Sequence, residues 1–127
     1  MSERAPLRIR QFVLDAQDYE GLAHFWQTLL GWPTVRHWPD ERWISITDGT
    51  TTLSIQGAPD HQPPVWGDPG RPQQAHLDIV VPDIEEAEAL VLELGGTKLD
   101  QQDDKNPAFR VYADPAGHPF CLEFGFS

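Results

Sequence analysis

An internal repeat constrains the fold of this chain more than any other feature of its sequence. The stretch that begins at Gln11, QFVLDAQDYEGLAHFWQTLLGW, is matched by one that begins at His76, HLDIVVPDIEEAEALVLELGG. In each copy a short apolar segment is followed by an acidic residue and then by an amphipathic segment that ends at glycine. The closing parts, RWISITDGTTTLSIQ and FRVYADPAGHPFCLEF, also match. A unit of about fifty to sixty residues that occurs twice predicts two fused copies of one supersecondary module.

Hydrophobic periodicity predicts the order of elements in each copy. A strand is predicted at 7–14, and Asp18 then caps a helix that ends at Gly31. In the second copy Asp83 caps a helix that ends at Gly95. Three strands follow each helix, roughly at 33–38, 42–47 and 50–56, and then at about 97–101, 108–113 and 119–125. The pattern predicts an α+β protein made of two βαβββ modules in tandem.

A segment rich in proline separates the two copies. We predict a single domain over residues 1–127, with module one at about 7–57, a connector at about 58–74 and module two at about 75–127. The connector is long for a compact domain, which favours a functional role. Trp66 near its middle is predicted either to form part of a lid or to anchor the loop.

Composition excludes several classes of partner. The formal net charge of −11 repels phosphate backbones and anionic membranes, so we expect no nucleic-acid and no membrane partner. No apolar stretch is long enough to span a bilayer, and the N-terminus lacks the apolar core of a signal peptide, so a cytoplasmic location is expected. The single cysteine, Cys121, is interpreted as a small buried residue of a strand.

Several motifs carry a resemblance to a known superfamily. The duplicated module, with FWQTLLGW, AHLDIVVPDIEEAEALVLELGG and DPAGHPFCLEF, resembles the glyoxalase/bleomycin-resistance/dioxygenase superfamily, also called vicinal oxygen chelate proteins. The resemblance covers essentially the whole chain and implies curved mixed sheets that enclose a concave cleft. This fold carries isomerases, epimerases, dioxygenases, thiol transferases and drug-binding proteins, so it does not by itself define a function.

The resemblance also implies where a site would lie. The ligand positions of the superfamily's metal enzymes correspond here to Gln11, Ser54, His76 and Glu123. The internal repeat agrees with this correspondence. Gln11 of the first copy matches His76 of the second, and Ser54 in LSI matches Glu123 in LEF. Strand alternation turns Ser54 and Glu123 away from their apolar neighbours.

The donor set at these positions is weak for a metal. His76 and Glu123 suit Zn, Ni, Fe or Mn, and the amide oxygen of Gln11 is a weaker ligand. The Ser54 hydroxyl stays protonated near neutral pH, so the sequence predicts no cofactor. The alternative is a divalent transition metal held by His76, Glu123 and Gln11. Without a metal, His76 would be a hydrogen-bonded residue of a pocket, and Glu123 would bond to it or to a ligand amine.

Asp78 adds a second carboxyl to this region. It follows His76 by two residues and should point to the same face of the strand. With His76 and Glu123 it would form a cluster that raises the pKa of one carboxyl for proton transfer. A salt-bridged or solvent-facing aspartate is the alternative. Glu123 and Asp78 are therefore the candidate catalytic residues.

Tryptophans indicate the type of ligand. Trp38, Trp43 and Trp66 lie outside the helix pattern, and we predict that they line the cleft. Indole faces beside carboxylates suit a flat or cationic molecule. The alternative is that some of them only seal the ends of the sheets.

Two functions remain open from the sequence. The first is a protein of the bleomycin-resistance type that binds a small organic ligand without metal and pairs as a homodimer. The second is a metal-dependent glyoxalase-like lyase or isomerase. In that case a substrate's vicinal oxygens would chelate an ion held by His76 and Glu123, and Glu123 or Asp78 would move the proton.

Overall fold

The computed structural model describes residues 5–99 and 108–124, which form two four-stranded sheets and two α-helices. The first half contains β1 (Phe12–Ala16), α1 (Tyr19–Leu30), β2 (Thr34–Trp38), a 3₁₀ turn (Pro39–Glu41), β3 (Trp43–Thr47) and β4 (Thr52–Gly57). The second half contains β5 (Leu77–Val80), α2 (Ile84–Glu93), β6 (Thr97–Lys98), β7 (Phe109–Ala113) and β8 (Pro119–Glu123). The predicted α+β fold with tandem βαβββ modules is confirmed.

The two sheets have the same topology. Their strand orders are β1-β4-β3-β2 and β5-β8-β7-β6. β1 is parallel to β4 and β5 is parallel to β8, whereas the other pairs are antiparallel. The repeat that is visible in the sequence is therefore a repeat of sheet connectivity. In both halves the first strand lies at an edge of its sheet.

Short local signals fix the ends of the helices. The Asp18 carboxylate accepts a hydrogen bond from the Gly21 N–H at 3.0 Å. In α2 the Asp83 carboxylate accepts hydrogen bonds from the Glu85 and Glu86 amides of the first turn. These bonds satisfy amides that have no partner within the helix. α1 ends at Gly31, whose φ of 68° is left-handed and favours glycine. The predicted caps are confirmed. Neither described helix is long and apolar enough to cross a membrane.

The start of the first strand differs from the prediction. The sequence predicts a strand at 7–14, but β1 begins at Phe12, because its pairing with β4 begins there. Leu7 and Ile9 are 86% and 75% exposed. Gln11 therefore directly precedes β1, just as His76 directly precedes β5. Parts of the predicted strands at 97–101 and 119–125 lie outside the described residues.

One apolar cluster joins the two halves around α1. Phe25 and Trp26 of α1 are buried and pack against Phe120 of β8, whose ring centroid lies 4.9 Å from that of Trp26. The Trp26 indole N–H also donates to Asp114 Oδ2 at 2.9 Å. The cluster includes Ile44, Ile46, Leu53 and Ile55 of the first sheet and Tyr112, Phe120 and Leu122 of the second. Both sheets thus turn apolar side chains towards this cluster.

The connector is folded back on itself and held against the second half. The Val65 N–H donates to the Arg71 carbonyl at 2.8 Å, and Arg71 Nη2 donates to the Pro63 carbonyl at 2.7 Å. Pro63 lies against Gly117 in the turn between β7 and β8, so closely that a Cβ at Gly117 would collide with it. The φ of Gly117, 92°, also favours glycine. These contacts bring Trp66 beside the second sheet.

Candidate functional site

A cavity of about 460 Å³ lies over the polar face of the second sheet. Asp78 of β5, Cys121 and Glu123 of β8 and His76, which directly precedes β5, line it, and Trp66 lines it from the connector. Alternation along the strands explains this set, because the neighbouring residues of β5 and β8 point into the core. A cavity of this size is typical of sites for small organic ligands.

Ionisable groups converge in this cavity. His76 Nε2 lies 3.2 Å from Asp78 Oδ1, and the side chains of both residues are about half exposed. The Asp78 carboxyl lies close enough to that of Glu123 to act on its pKa. Desolvation and, next, the hydrogen bond and charge of Asp78 raise the pKa of Glu123, and His76 opposes that rise. The two carboxyls and the imidazole can therefore bind a cation or move a proton.

Three residues of the cavity offer donor atoms of the kinds that metals bind. One ligand atom from each of His76, Asp78 and Cys121 lies within 4.8 Å of the others. Imidazole nitrogen, carboxylate oxygen and thiolate sulfur together suit a borderline dication such as Zn²⁺. This set shares only His76 with the predicted set of His76, Glu123 and Gln11.

Gln11 and Ser54 lie on the first sheet and bind each other. The Ser54 hydroxyl donates to Gln11 Oε1 at 2.7 Å, and its oxygen lies 2.7 Å from the Ser45 oxygen, which the Trp43 indole N–H reaches at 3.0 Å. The donors thus run in one direction, from Trp43 through Ser45 and Ser54 to Gln11. Ser54 is fully buried. Its hydroxyl completes this network of hydrogen bonds.

The four positions implied by the resemblance fall into two groups in the structure. The cavity of the second sheet is lined, among the residues that the structure describes, by the connector and the second half alone. His76 and Glu123 belong to it, and Glu123 is paired with Asp78. Gln11 and Ser54 are engaged with each other elsewhere. Within one chain, therefore, the structure groups His76 and Glu123 with Asp78, and Gln11 with Ser54.

The three tryptophans proposed as ligand contacts occupy two different places. Trp66 is 42% exposed and lines the cavity. Trp38 and Trp43 face each other across β2 and β3 of the first sheet and are not among the residues that line this cavity. Of the three, only Trp66 lies beside His76 and Glu123.

Cys121 is a site residue that the sequence interpretation missed. Its interpretation as a small buried residue was wrong, because its side chain is partly exposed and lines the cavity. The residue alternates with the buried Leu122 and shares a face of β8 with Glu123. That spacing of two residues was the available signal. Phe109 and Val111 of β7 complete the apolar part of the wall.

A second and larger cavity of about 930 Å³ adjoins the first. It lies between the connector and the second half, where residues of β6 and of the turn between β7 and β8 form its other walls. Trp66, Gln73 and Pro119 line both cavities. The site on the second sheet therefore lies next to a larger cavity beneath the connector.

Comparisons with known proteins agree with this architecture. The family model described as glyoxalase-like domain matches residues 11–123. Among similar structures are a glyoxalase family protein from Enterococcus faecalis (23% identity, TM-score 0.64, covering 91% of this chain and 96% of that one) and the fosfomycin resistance protein FosX from Listeria monocytogenes (12%, 0.71, 97% and 94%). The trypanothione-dependent glyoxalase I from Leishmania major is also similar (14%, 0.62, 94% and 87%). No curated protein matches the sequence. At these identities the structural similarity shows the fold alone.

Proposed function

The chain belongs to the glyoxalase-like domain family of the vicinal oxygen chelate superfamily, and from this premise we propose that it binds a flat or cationic small organic molecule without a metal. The binding site in this proposal is the cavity of the second sheet. One observation carries the proposal: the carboxyls of Asp78 and Glu123 lie in the same cavity as the partly exposed indole of Trp66.

The electrostatics of this cavity favour a cation. Two carboxyls in contact repel each other when both are ionised, and a bound ammonium or amidinium group relieves that repulsion. The indole of Trp66 attracts a cation to its face and also stacks on flat rings. The net charge of −11 adds a long-range negative potential, which also attracts cations.

A homodimer is part of this proposal. β1 and β5 are edge strands, and large apolar side chains lie exposed on or beside them: Leu7 at 86%, Ile9 at 75%, Phe12 at 48% and Val80 at 62%. Unpaired edges with apolar side chains are favourable places for a second copy to bind. In the bleomycin-resistance type such pairing forms the ligand clefts. Pairing here would place the first-sheet face of one protomer, with Trp38 and Trp43, near the second-sheet cavity of its partner.

The experiment is a titration with an aminoacridine, a flat cationic aromatic, followed by tryptophan fluorescence and calorimetry. We expect saturable quenching. Asp78→Asn should weaken binding about tenfold, because a hydrogen bond to a charged group contributes about 1.5–3 kcal/mol and this site is partly open to solvent.

Two matched controls locate the effect. Asp60→Asn is the control for Asp78→Asn, because it makes the same change of charge at an exposed position outside this cavity. His24→Ala, on the polar side of α1, is the control for His76→Ala. Neither control should alter the affinity, whereas His76→Ala should lower it. Saturable binding that is indifferent to Asp78→Asn and His76→Ala would place the site elsewhere. The absence of saturable binding across a panel of flat cations would refute the proposal.

A metal-dependent lyase or isomerase is the second candidate. The specific observation in its favour is the donor cluster of His76, Asp78 and Cys121, which differs from the set implied by the superfamily. In that case Glu123, with its raised pKa, would be the group that moves a proton. The metal content of the purified protein decides between the two candidates, as described below.

A further inference from the structure

The two cavities are lined by different kinds of side chain. The smaller cavity presents the side chains of Asp78, Glu123 and His76. The larger one is lined by six prolines: Pro63, Pro64, Pro69, Pro72, Pro115 and Pro119. The smaller cavity therefore offers His76, Asp78 and Glu123 to a ligand, whereas proline rings form much of the wall of the larger one, together with Asp68 and Asp114.

The carboxylates in the wall of the larger cavity are already engaged. Asp114 is 3% exposed, and its two oxygens accept hydrogen bonds from the Ala116 and His118 amides at 3.0 and 2.9 Å and from the Trp26 indole at 2.9 Å. Asp68 Oδ1 accepts from the Gly70 amide at 2.8 Å. An apolar group that enters this cavity therefore leaves Asp114 with its partners, and Asp68 is an exposed residue that keeps its bond to the Gly70 amide.

Trp66 lies between the two cavities. It lines both cavities, as do Gln73 and Pro119, so a molecule longer than the smaller cavity would pass beside the indole into the larger one. The volumes, about 460 and 930 Å³, give more room to the proline-lined cavity than to the cavity that holds Asp78 and Glu123.

We propose that the ligand class of this protein is an elongated amphiphilic organic cation. Its ammonium or amidinium head binds Asp78 and Glu123, its flat part stacks on Trp66, and its apolar tail occupies the proline-lined cavity. This inference rests on the proposed function and adds to it a second compartment and a required ligand shape.

A series of benzylamines with para n-alkyl chains of zero to six carbons tests the proposal by calorimetry, with the benzyl alcohols of the same chain lengths as uncharged controls. We expect the dissociation constant of the amines to fall by about two- to fourfold for each methylene until the larger cavity is filled. The alcohols should bind much more weakly at every length. Asp78→Asn should weaken the amines by one common factor and leave the alcohols unchanged.

Thr97→Trp probes the larger cavity alone. Thr97 is an exposed residue of β6 that lines the larger cavity and not the smaller one. The bulky side chain should remove the gain from long tails while short amines bind as before. Thr50→Trp, at an exposed turn outside both cavities, is the matched control and should keep the full dependence on tail length.

Each outcome supports or overturns the inference. Amine binding that is independent of tail length overturns it and leaves the proposed function intact, and so does equal binding of amines and alcohols. If Thr97→Trp fails to fold, the tail-length series on the unmodified protein decides alone. If neither the benzylamines nor the aminoacridine binds, the inference and the proposed function fail together.

Discussion

Replacing Asp114 by asparagine tests the polar contact that joins the two halves inside the core. An asparagine side chain keeps one carbonyl oxygen, which can still accept from the Ala116 and His118 amides. Its NH₂ group would face the Trp26 indole N–H, so two donors would meet where Asp114 Oδ2 now accepts at 2.9 Å. The variant is nearly isosteric, and the loss is therefore confined to this hydrogen bond.

The size of the effect follows from two opposed contributions. A buried hydrogen bond to a charged acceptor contributes about 1.5–3 kcal/mol. Burial also raises the pKa of Asp114, against the charge of His118 and the hydrogen bonds it accepts, which means that the buried carboxylate carries a desolvation cost that asparagine relieves. We expect a net loss of about 2 kcal/mol, or about 6–10 °C in Tm for a domain of this size.

The assay is thermal unfolding followed by circular dichroism, with Asp48→Asn as the matched control. Asp48 is an exposed residue of the corresponding turn of the first half, where its Oδ1 accepts from the Thr50 and Thr51 amides. Its replacement should leave Tm almost unchanged. Equal Tm values for Asp114→Asn and Asp48→Asn would refute the reasoning, because they would show that only turn capping is lost. In a double-mutant cycle with Trp26→Phe the two changes should be less than additive.

Three further predictions concern the site and the assembly. Affinity for benzylamine should fall as pH is lowered through the raised pKa of Glu123, because the carboxyl must lose its proton before it can pair with a cation, and a flat profile between about pH 4 and pH 7 would contradict this. Protein purified without chelator should carry well under one equivalent of transition metal, and Zn, Ni, Mn or Fe(II) should hardly shift Tm, although an ion at a hundred times its Kd would add about 2.7 kcal/mol. Near-stoichiometric metal that Cys121→Ser abolishes would establish the second candidate instead. Light scattering at micromolar concentration should give the mass of two chains, and Val80→Lys should reduce it, whereas the mass of one chain for the unmodified protein would exclude the homodimer.

The sequence was sufficient for the features that depend on local contacts. Caps such as Asp18 and Asp83 act within one turn of helix, so their residue type and spacing reveal them. Alternation likewise gave the face on which Ser54 and Glu123 lie, because it follows from strand geometry alone. The duplication can be recognised in the sequence because each copy repeats the same helix caps and the same hydrophobic periodicity.

The remaining features depend on partners distant in sequence. β1 begins at Phe12 rather than at residue 7 because a strand extends only as far as its neighbour, β4, pairs with it. The capture of Gln11 by Ser54 requires the fold to bring together residues 43 positions apart. The grouping of Trp66, but not Trp38, with His76 is set by how the connector packs on the second half. No periodicity within the chain encodes these three outcomes.

The connector has no counterpart in the duplicated unit, and this affects how binding specificity can evolve. Substitutions in the sheets must respect a core that both halves share, whereas Trp66 lies in a loop whose shape depends on its own hydrogen bonds between Val65 and Arg71. Changes in the loop can thus reshape the mouth of both cavities while the ancestral scaffold is conserved. Under the proposed function, substitutions in the connector can therefore change which ligand binds while the chain still folds. Relatives that share these sheets are expected to diverge first in the length and aromatic content of this loop.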